Sequence, residues 1–270
     1  MTNPRILLLG GHGKVSLLLT PKLLSRSWDV ISLIRNSAQK AAILDLGKKG
    51  ELPGKIEVLV ESLADVKSEK DASRILELAK PDWVVWSAGA GGKGGSELTY
   101  AIDRDACTHF IRASLASPTV TKFLLVSALS SRRSRAAWWD EDSWSIVRKM
   151  NEEVMPHYYK AKLAADETLT VLAEEKGRDF GYIVLRPGGL SDEEESGRVV
   201  IGKTPAKGKV SRGDVAEVAA RLLEQEGVRG WFDLLGGEAD LESEVKRVVK
   251  DGVDSMEGES LEVMKKDLKL

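Results

Sequence analysis

Leu7-Leu8-Leu9-Gly10-Gly11-His12-Gly13-Lys14-Val15-Ser16 is the stretch from which the fold can be read. An apolar run of strand length ends at Leu9 and breaks on Gly10, Gly11 and Gly13. Leucines at helical spacing follow: Leu17, Leu18, Leu23 and Leu24. Glycine suits such a turn because the chain takes conformations that a Cβ obstructs, and because a pyrophosphate must come close to the backbone. The helix that starts here would aim unpaired N–H groups and a partial positive charge at phosphates. Ser16 stands where a third glycine is common and is still small enough for the helix to lie close to the sheet. A mononucleotide P-loop needs glycine where Leu8 stands and a hydroxyl where Val15 stands, so that reading fails. A tight turn without a ligand is the other alternative. The position between strand and helix, at the head of a βαβ series, favours a dinucleotide.

Outward from this turn the strand–helix alternation continues. Strands are expected at 5–9, 29–34, 55–60, 82–87, 121–127, 182–186, 198–201 and 230–234. Helices are expected at 14–25, 38–46, 69–79, 96–116, 158–175 and 215–224, with a charged helix at the C-terminus. Phe123-Leu124-Leu125-Val126 has the unbroken apolar character of a parallel strand covered on both faces. The pattern predicts an α/β fold, a Rossmann-type doubly wound and mostly parallel sheet with helices on both faces, as a single domain over 1–270. Residues 1–128 would mainly bind cofactor, and 238–270 would form a C-terminal helical extension. Two stretches, 130–157 and 191–210, break the alternation. Ligands of open α/β sheets sit beyond the carboxyl ends of the strands, so 129–157 and 187–210 are the expected substrate-covering segments.

The composition excludes several classes. With 40 Lys+Arg against 42 Asp+Glu the formal charge is −2, a balance that argues against a nucleic-acid partner. The basic triplet Arg132, Arg133 and Arg135 has acidic neighbours, and Asp192-Glu193-Glu194-Glu195 reads as a solvated loop. The one cysteine, Cys107, closes no disulfide within the chain and reads as a small buried residue, which fits a reducing compartment. The first apolar run is too short for a signal peptide or a membrane span, so a cytoplasmic protein without a membrane partner is expected. His12, His109 and His157 lack metal-ligand spacing, and no metal is expected. A small-molecule substrate is the expected partner, for a monomer or homodimer.

The end of the second strand bears on the cofactor. NAD calls for an acidic residue there to hold the ribose hydroxyls, whereas NADP calls for a basic one to meet the 2′-phosphate. Ile31-Ser32-Leu33-Ile34 runs into Arg35, with Asn36 and Ser37 as further donors. NADP(H) is expected rather than NAD(H), with a solvated surface arginine as the plain alternative.

Further motifs follow in order. They are Val84-Val85-Trp86-Ser87-Ala88-Gly89-Ala90-Gly91-Gly92, Phe123-Leu124-Leu125-Val126-Ser127-Ala128, and Tyr158-Tyr159-Lys160-Ala161-Lys162-Leu163-Ala164-Ala165-Asp166-Glu167. Leu185-Arg186-Pro187-Gly188-Gly189-Leu190 and Ser211-Arg212-Gly213-Asp214-Val215-Ala216 complete the set. Together with the glycine turn, over about residues 4–237, the chain resembles an atypical short-chain dehydrogenase/reductase of the NAD(P)H-binding or NmrA-like branch.

That resemblance implies a Tyr-x-x-x-Lys pair, matched by Tyr158 and Lys162, with a serine at the end of the preceding strand, matched by Ser127. Tyr158 would donate a proton to a carbonyl oxygen as hydride arrives, Lys162 would favour the phenolate and hold the nicotinamide ribose, and Ser127 would orient the oxygen, with Ser130 as a second candidate. Either Tyr158 or the adjacent Tyr159 would be the inward-facing ring. The implied cofactor contacts are Gly10, Gly11, His12, Gly13, Lys14, Val15, Arg35 and Asn36 around the phosphates and ribose. Glu61 and Ser62 would lie near the adenine, with Ser87, Ala88 and Gly89 on the adenosine side and Pro187, Gly188, Gly189 and Leu190 on the nicotinamide face. The glycine-rich run 89–95 implies a flexible loop.

Seven tryptophans is a high count, and Trp138, Trp139 and Trp144 cluster. Trp138 and Trp139 form either an aromatic lid over substrate or a loop pinned to the scaffold or a partner by its indoles. The expected function is an NADP(H)-dependent oxidoreductase acting on a small carbonyl, alcohol or activated double bond. The alternatives are a non-catalytic NADP(H)-binding redox sensor, and a cofactor-retaining epimerase or dehydratase of a sugar or specialised metabolite. Fold alone does not decide among them.

Overall fold

A computed structural model describes residues 3–48, 51–91 and 94–268. The chain divides into two compact units, Met1–Leu125 and Val126–Leu270.

The first unit runs β1 (Arg5–Leu9), α1 (Lys14–Ser25), β2 (Asp29–Ile34), α2 (Lys40–Lys48), β3 (Ile56–Val60), α3 (Glu69–Ala79) and β4 (Trp83–Trp86). Then come α4 (Gly95–Thr99), a π-helical stretch Tyr100–Ala106, α5 (Cys107–Ala116) and β5 (Lys122–Val126). All its strands are parallel, in the order β3-β2-β1-β4-β5. The order reverses direction between β1 and β4, the arrangement expected of a doubly wound Rossmann-type sheet. Ile6, Leu7, Leu8 and Leu9 are wholly buried, as are Phe123, Leu124 and Leu125, because helices cover both faces of a parallel sheet. α1 packs on α2 and α3 on α5, supplying those two layers. Ser68 caps α3 by accepting from the Asp71 N–H, while its own hydroxyl donates to the Asp71 carboxylate at 2.8 Å. The helix expected at 96–116 is present as one continuous winding. Its middle is π rather than α: the Cys107 N–H reaches back to the Ile102 carbonyl.

The second unit begins with α6 (Glu141–Lys149), a π turn Met150–Val154, α7 (Pro156–Lys176), β6 (Gly181–Pro187), β7 (Gly189–Ser191), β8 (Arg198–Ile201) and β9 (Lys209–Ser211). It ends with α8 (Arg212–Glu224), β10 (Arg229–Gly236), β11 (Ala239–Asp240), α9 (Leu241–Lys250) and α10 (Leu261–Leu268). β10 lies parallel to β6 and antiparallel to β8, which pairs with β11, and β7 pairs with β9 in a small separate ladder. Two expectations need correction here. The stretch 130–157 is not irregular throughout, because Asp140 accepts the Ser143 N–H at 2.7 Å and starts α6. The C-terminal part holds two helices rather than one. The turn between them is drawn into the unit by Arg132, whose guanidinium donates to the Ser255 and Glu257 carbonyls.

Candidate functional site

In the first unit a cleft of ≈ 260 Å³ opens beyond the carboxyl ends of β1 to β4. Of the expected contacts it is lined by Gly10, His12, Gly13, Arg35, Glu61, Ser62, Ser87, Ala88 and Gly89. Gly10 sits at φ +82°, and a Cβ there would stand 2.6 Å from the Ala88 Cα. Glycine is therefore demanded twice, by conformation and by the end of β4. Gly13 precedes α1 with no side-chain cap, and the first turn holds no acidic residue, so the partial positive charge of this helix end suits an anion. Among the described residues no hydrogen bond or ion pair engages the exposed Arg35 guanidinium, which borders the cleft at the end of β2. Glu61 is held by Arg74 at 3.0 Å.

Other expected contacts are placed differently. Gly11 is buried against β2, where a Cβ would fall 1.8 Å from the Ser32 hydroxyl, and its N–H donates to the Leu33 carbonyl. Val15 belongs to the core, and Lys14 is exposed at the helix start. The Asn36 side chain accepts the Ala38 N–H at 2.9 Å. Within the run 89–95, Gly92 lies outside the described residues. The sequence reading missed Gln39, whose amide meets the His12 ring at 3.1 Å, and the apolar wall of Leu63, Leu98 and Ile102. It also missed Asp103, nearly fully buried in the π stretch, whose carboxylate accepts the Ala90 N–H at 2.8 Å and so fixes the strand exit. No sequence signal marked it, because an aspartate inside a helical run reads as solvated.

In the second unit, Pro156 occupies the first turn of α7, where its missing N–H costs nothing. Tyr158 and Lys162 follow one turn apart on one face. The Lys162 Nζ is 5.8 Å from the centre of the Tyr158 ring and donates to the Val126 carbonyl at 3.0 Å. Lys162 is only 4% exposed, so its ammonium is fixed rather than solvated. Tyr159 turns away: its hydroxyl donates to the Arg132 carbonyl at 3.3 Å, and burial pushes its pKa up. Of the two tyrosines, Tyr158 is the one paired with the lysine.

Ser127 is buried and donates its hydroxyl to Asp166 at 2.7 Å. Asp166, one turn beyond Lys162, is wholly buried, and burial pushes its carboxyl up to about 7 against the pull of Arg186, Ser127, Lys162 and Ser131. The spacing Tyr158–Lys162–Asp166 was visible in the sequence, although its third member was not singled out. The Ser130 carbonyl accepts from Asn151 at 2.8 Å. Gly188 answers local packing, since a Cβ there would meet the Leu235 side chain at 2.4 Å and the Gly208 carbonyl at 2.7 Å, while the Gly189 N–H donates to the Gly208 carbonyl at 2.9 Å. Pro187 ends β6, accepting the Leu129 N–H, and Leu190 is exposed. The indoles of Trp138 and Trp139 both donate to the Thr204 carbonyl, at 2.9 and 2.8 Å. Trp139 packs with Leu129, Ala136, Val147, Ala206 and Leu235, so this segment has a small core of its own.

A family profile described as NAD(P)H-binding matches residues 10–226. The chain belongs to the NAD(P)H-binding family. The family match begins at the glycine turn itself and runs through the Tyr158–Lys162 helix. A Bacillus subtilis protein named uncharacterized sugar epimerase YhfK is 28% identical over 250 residues, which cover 90% of this chain and 100% of that one. Among solved structures, a Bacillus halodurans protein provisionally named an NAD-dependent epimerase/dehydratase superposes with a TM-score of 0.72 at 24% identity, over 91% of this chain and 100% of that one. The Lactococcus lactis oxidoreductase ylbE superposes with a TM-score of 0.67 at 18% identity, over 91% of this chain and 96% of that one. The two superpositions establish a shared Rossmann-type fold.

Proposed function

We propose that the chain is an NADP(H)-dependent oxidoreductase that carries hydride to or from a small carbonyl, alcohol or activated double bond. The observation that carries this reading is the buried Lys162 ammonium held beside the Tyr158 ring on α7. A cation held next to a phenol favours its ionised form. Tyr158 then gives its proton to the carbonyl oxygen during reduction and takes it back during oxidation. Ser127 is the second group for that oxygen.

Bound NADPH would supply the hydride. Residues of the first unit fit it: the partial positive charge at the head of α1 for the diphosphate, close-packed Gly10, and Arg35 for the 2′-phosphate. The preference for NADP(H) over NAD(H) rests on Arg35, since a guanidinium pairs with a phosphate far better than with ribose hydroxyls. Pro187 to Leu190 stay with the nicotinamide in this reading, and Trp138, Trp139 and Ser130 border the substrate. The protein would act without metal.

The test is a panel of carbonyl compounds offered with NADPH, followed by the loss of reduced-nicotinamide absorbance. Turnover that disappears in Tyr158→Phe supports the reading, and binding of NADPH without turnover of any compound overturns it. A second reading, a cofactor-retaining sugar epimerase, is favoured by the name of the Bacillus subtilis relative. It calls for turnover of a sugar substrate with no net change in nicotinamide absorbance.

A further inference from the structure

Asp166 is a buried acid for which the proposed chemistry has so far no use. One of its oxygens, Oδ2, accepts the Ser127 hydroxyl at 2.7 Å; the other, Oδ1, makes no hydrogen bond of good geometry among the described residues, although the Ser131 side chain lies close enough to pull the acid's titration down. The groups facing it are few. Lys162 approaches from the preceding turn of α7, Arg186 from β6, and Ser127 and Ser131 from the chain that follows β5. Arg186 is itself shared: it lies 3.1 Å from Asp233, donates to the Leu129 carbonyl and stacks 4.4 Å from the Trp231 ring. Lys162 is likewise engaged with the Val126 carbonyl. A dry carboxylate oxygen is costly, whereas a neutral carboxyl tolerates it far better. Burial accordingly outweighs both cations and holds the acid's titration at about 7.

A serine hydroxyl has one proton to give and two lone pairs to accept with. While Asp166 is a carboxylate, the Ser127 proton is committed to Oδ2, and Ser127 can offer a substrate oxygen only lone pairs. When Asp166 carries a proton, the carboxyl O–H donates to the Ser127 Oγ instead, and the serine proton is released toward the substrate. We propose that Asp166 is a positioning residue whose own proton sets whether Ser127 acts as a donor or only as an acceptor. One proton from solvent adds to Oδ2, no covalent bond other than O–H changes, and none of that proton is consumed in turnover. The inference rests on the proposed oxidoreductase reading, in which Ser127 meets the reacting oxygen.

The experiment compares kcat/KM for carbonyl reduction in the wild type, Asp166→Asn and Ser127→Ala from about pH 5 to about pH 9, with NADPH in excess. The wild type should lose activity as pH rises through about 7. In Asp166→Asn the amide N–H replaces the acid proton at every pH, so this limb should vanish and the variant should exceed the wild type by about tenfold one pH unit above the midpoint. Ser127→Ala should be slow at low pH and should lack the limb as well. The infrared carboxyl band that differs between wild type and Asp166→Asn reads the same proton without turnover. It should fade through the same pH range.

Turnover with superimposable wild-type and Asp166→Asn profiles, or a carboxyl band already absent at about pH 5, overturns this inference and leaves the oxidoreductase reading intact. NADPH binding with no turnover at any pH overturns the oxidoreductase reading, and this inference with it. Should Asp166→Asn fail to fold, a Ser127→Ala profile that keeps the wild-type limb is the overturning result.

Discussion

Replacing Gly10 by alanine should damage the fold and the cleft together, and the size of the effect follows from the local geometry. Gly10 has φ +82°, and a left-handed conformation costs an L-residue roughly 1–2 kcal/mol. The added Cβ would also lie 2.6 Å from the Ala88 Cα and 2.8 Å from the Ala88 N. These are backbone atoms at the exit of β4 and cannot rotate aside as a flexible side chain would. Overpacking of this kind adds about 1–3 kcal/mol. The sum is about 2–5 kcal/mol, or roughly 4–10 °C in Tm for a chain of this length. Ala88 lines the cleft, so the displacement should also weaken NADP(H) binding by at least about tenfold. Gly227 provides the control, because it has φ +65° and an added Cβ there would meet nothing within 4 Å. Gly227→Ala should show only the conformational cost of about 1–2 kcal/mol and normal cofactor affinity. Thermal unfolding and titration calorimetry on both variants test this. Equal Tm values for the two, or unchanged affinity in Gly10→Ala, would refute the reasoning.

Other perturbations give separable results. Arg35→Ala should weaken NADP(H) binding by about 10–100-fold, the worth of a charge-assisted pair, and change NAD(H) binding by less than about twofold in the same titration. Asp233→Asn leaves the wholly buried Arg186 without its counter-charge, and urea unfolding should show a loss of about 3–5 kcal/mol. Trp139→Phe removes one indole donor from the Thr204 carbonyl and should cost about 1 kcal/mol, whereas Trp139→Ala also opens a cavity and should cost about 3–5 kcal/mol. Stability should also depend on pH in a defined direction. Asp166 titrates at about 7 and Asp233 at about 6 in the fold, both raised by burial, while unfolded aspartates titrate near about 4. Between those values the folded chain holds protons that the unfolded chain has released, so stability falls as pH rises through this window and stays lower above it. Asp166→Asn should flatten the upper part of that fall in pH-dependent melting curves.

Much of the first unit was legible because its signals are local. β1, α1 and β2 lie where unbroken apolar runs, glycine punctuation and helical leucine spacing put them, each carried by residues adjacent in sequence. α6 was hidden because Asp140, its cap, stands beside Glu141 and Asp142 and reads as one more charge in a tryptophan-rich loop. The Tyr-x-x-x-Lys spacing pointed to Tyr158 as the partner of Lys162, but it did not exclude Tyr159. Neighbouring helical residues point about 100° apart, and it is the Arg132 carbonyl, distant in sequence, that claims Tyr159. Asp103 and Asp166 escaped for a related reason. An acid inside a helix looks solvated until tertiary packing shows what covers it.

The π stretch Tyr100–Ala106 amounts to one surplus residue accommodated inside a helix instead of in a loop. Leu98 and Ile102 face the cleft at or before this surplus, and Phe110 and Ile111 serve the core after it. Deleting a single residue there would restore ordinary winding and turn one set by about 100° against the other. When descendants of this chain gain or lose length, the scar is therefore expected within a helix, and the ligand-facing and core-facing halves can drift in phase independently.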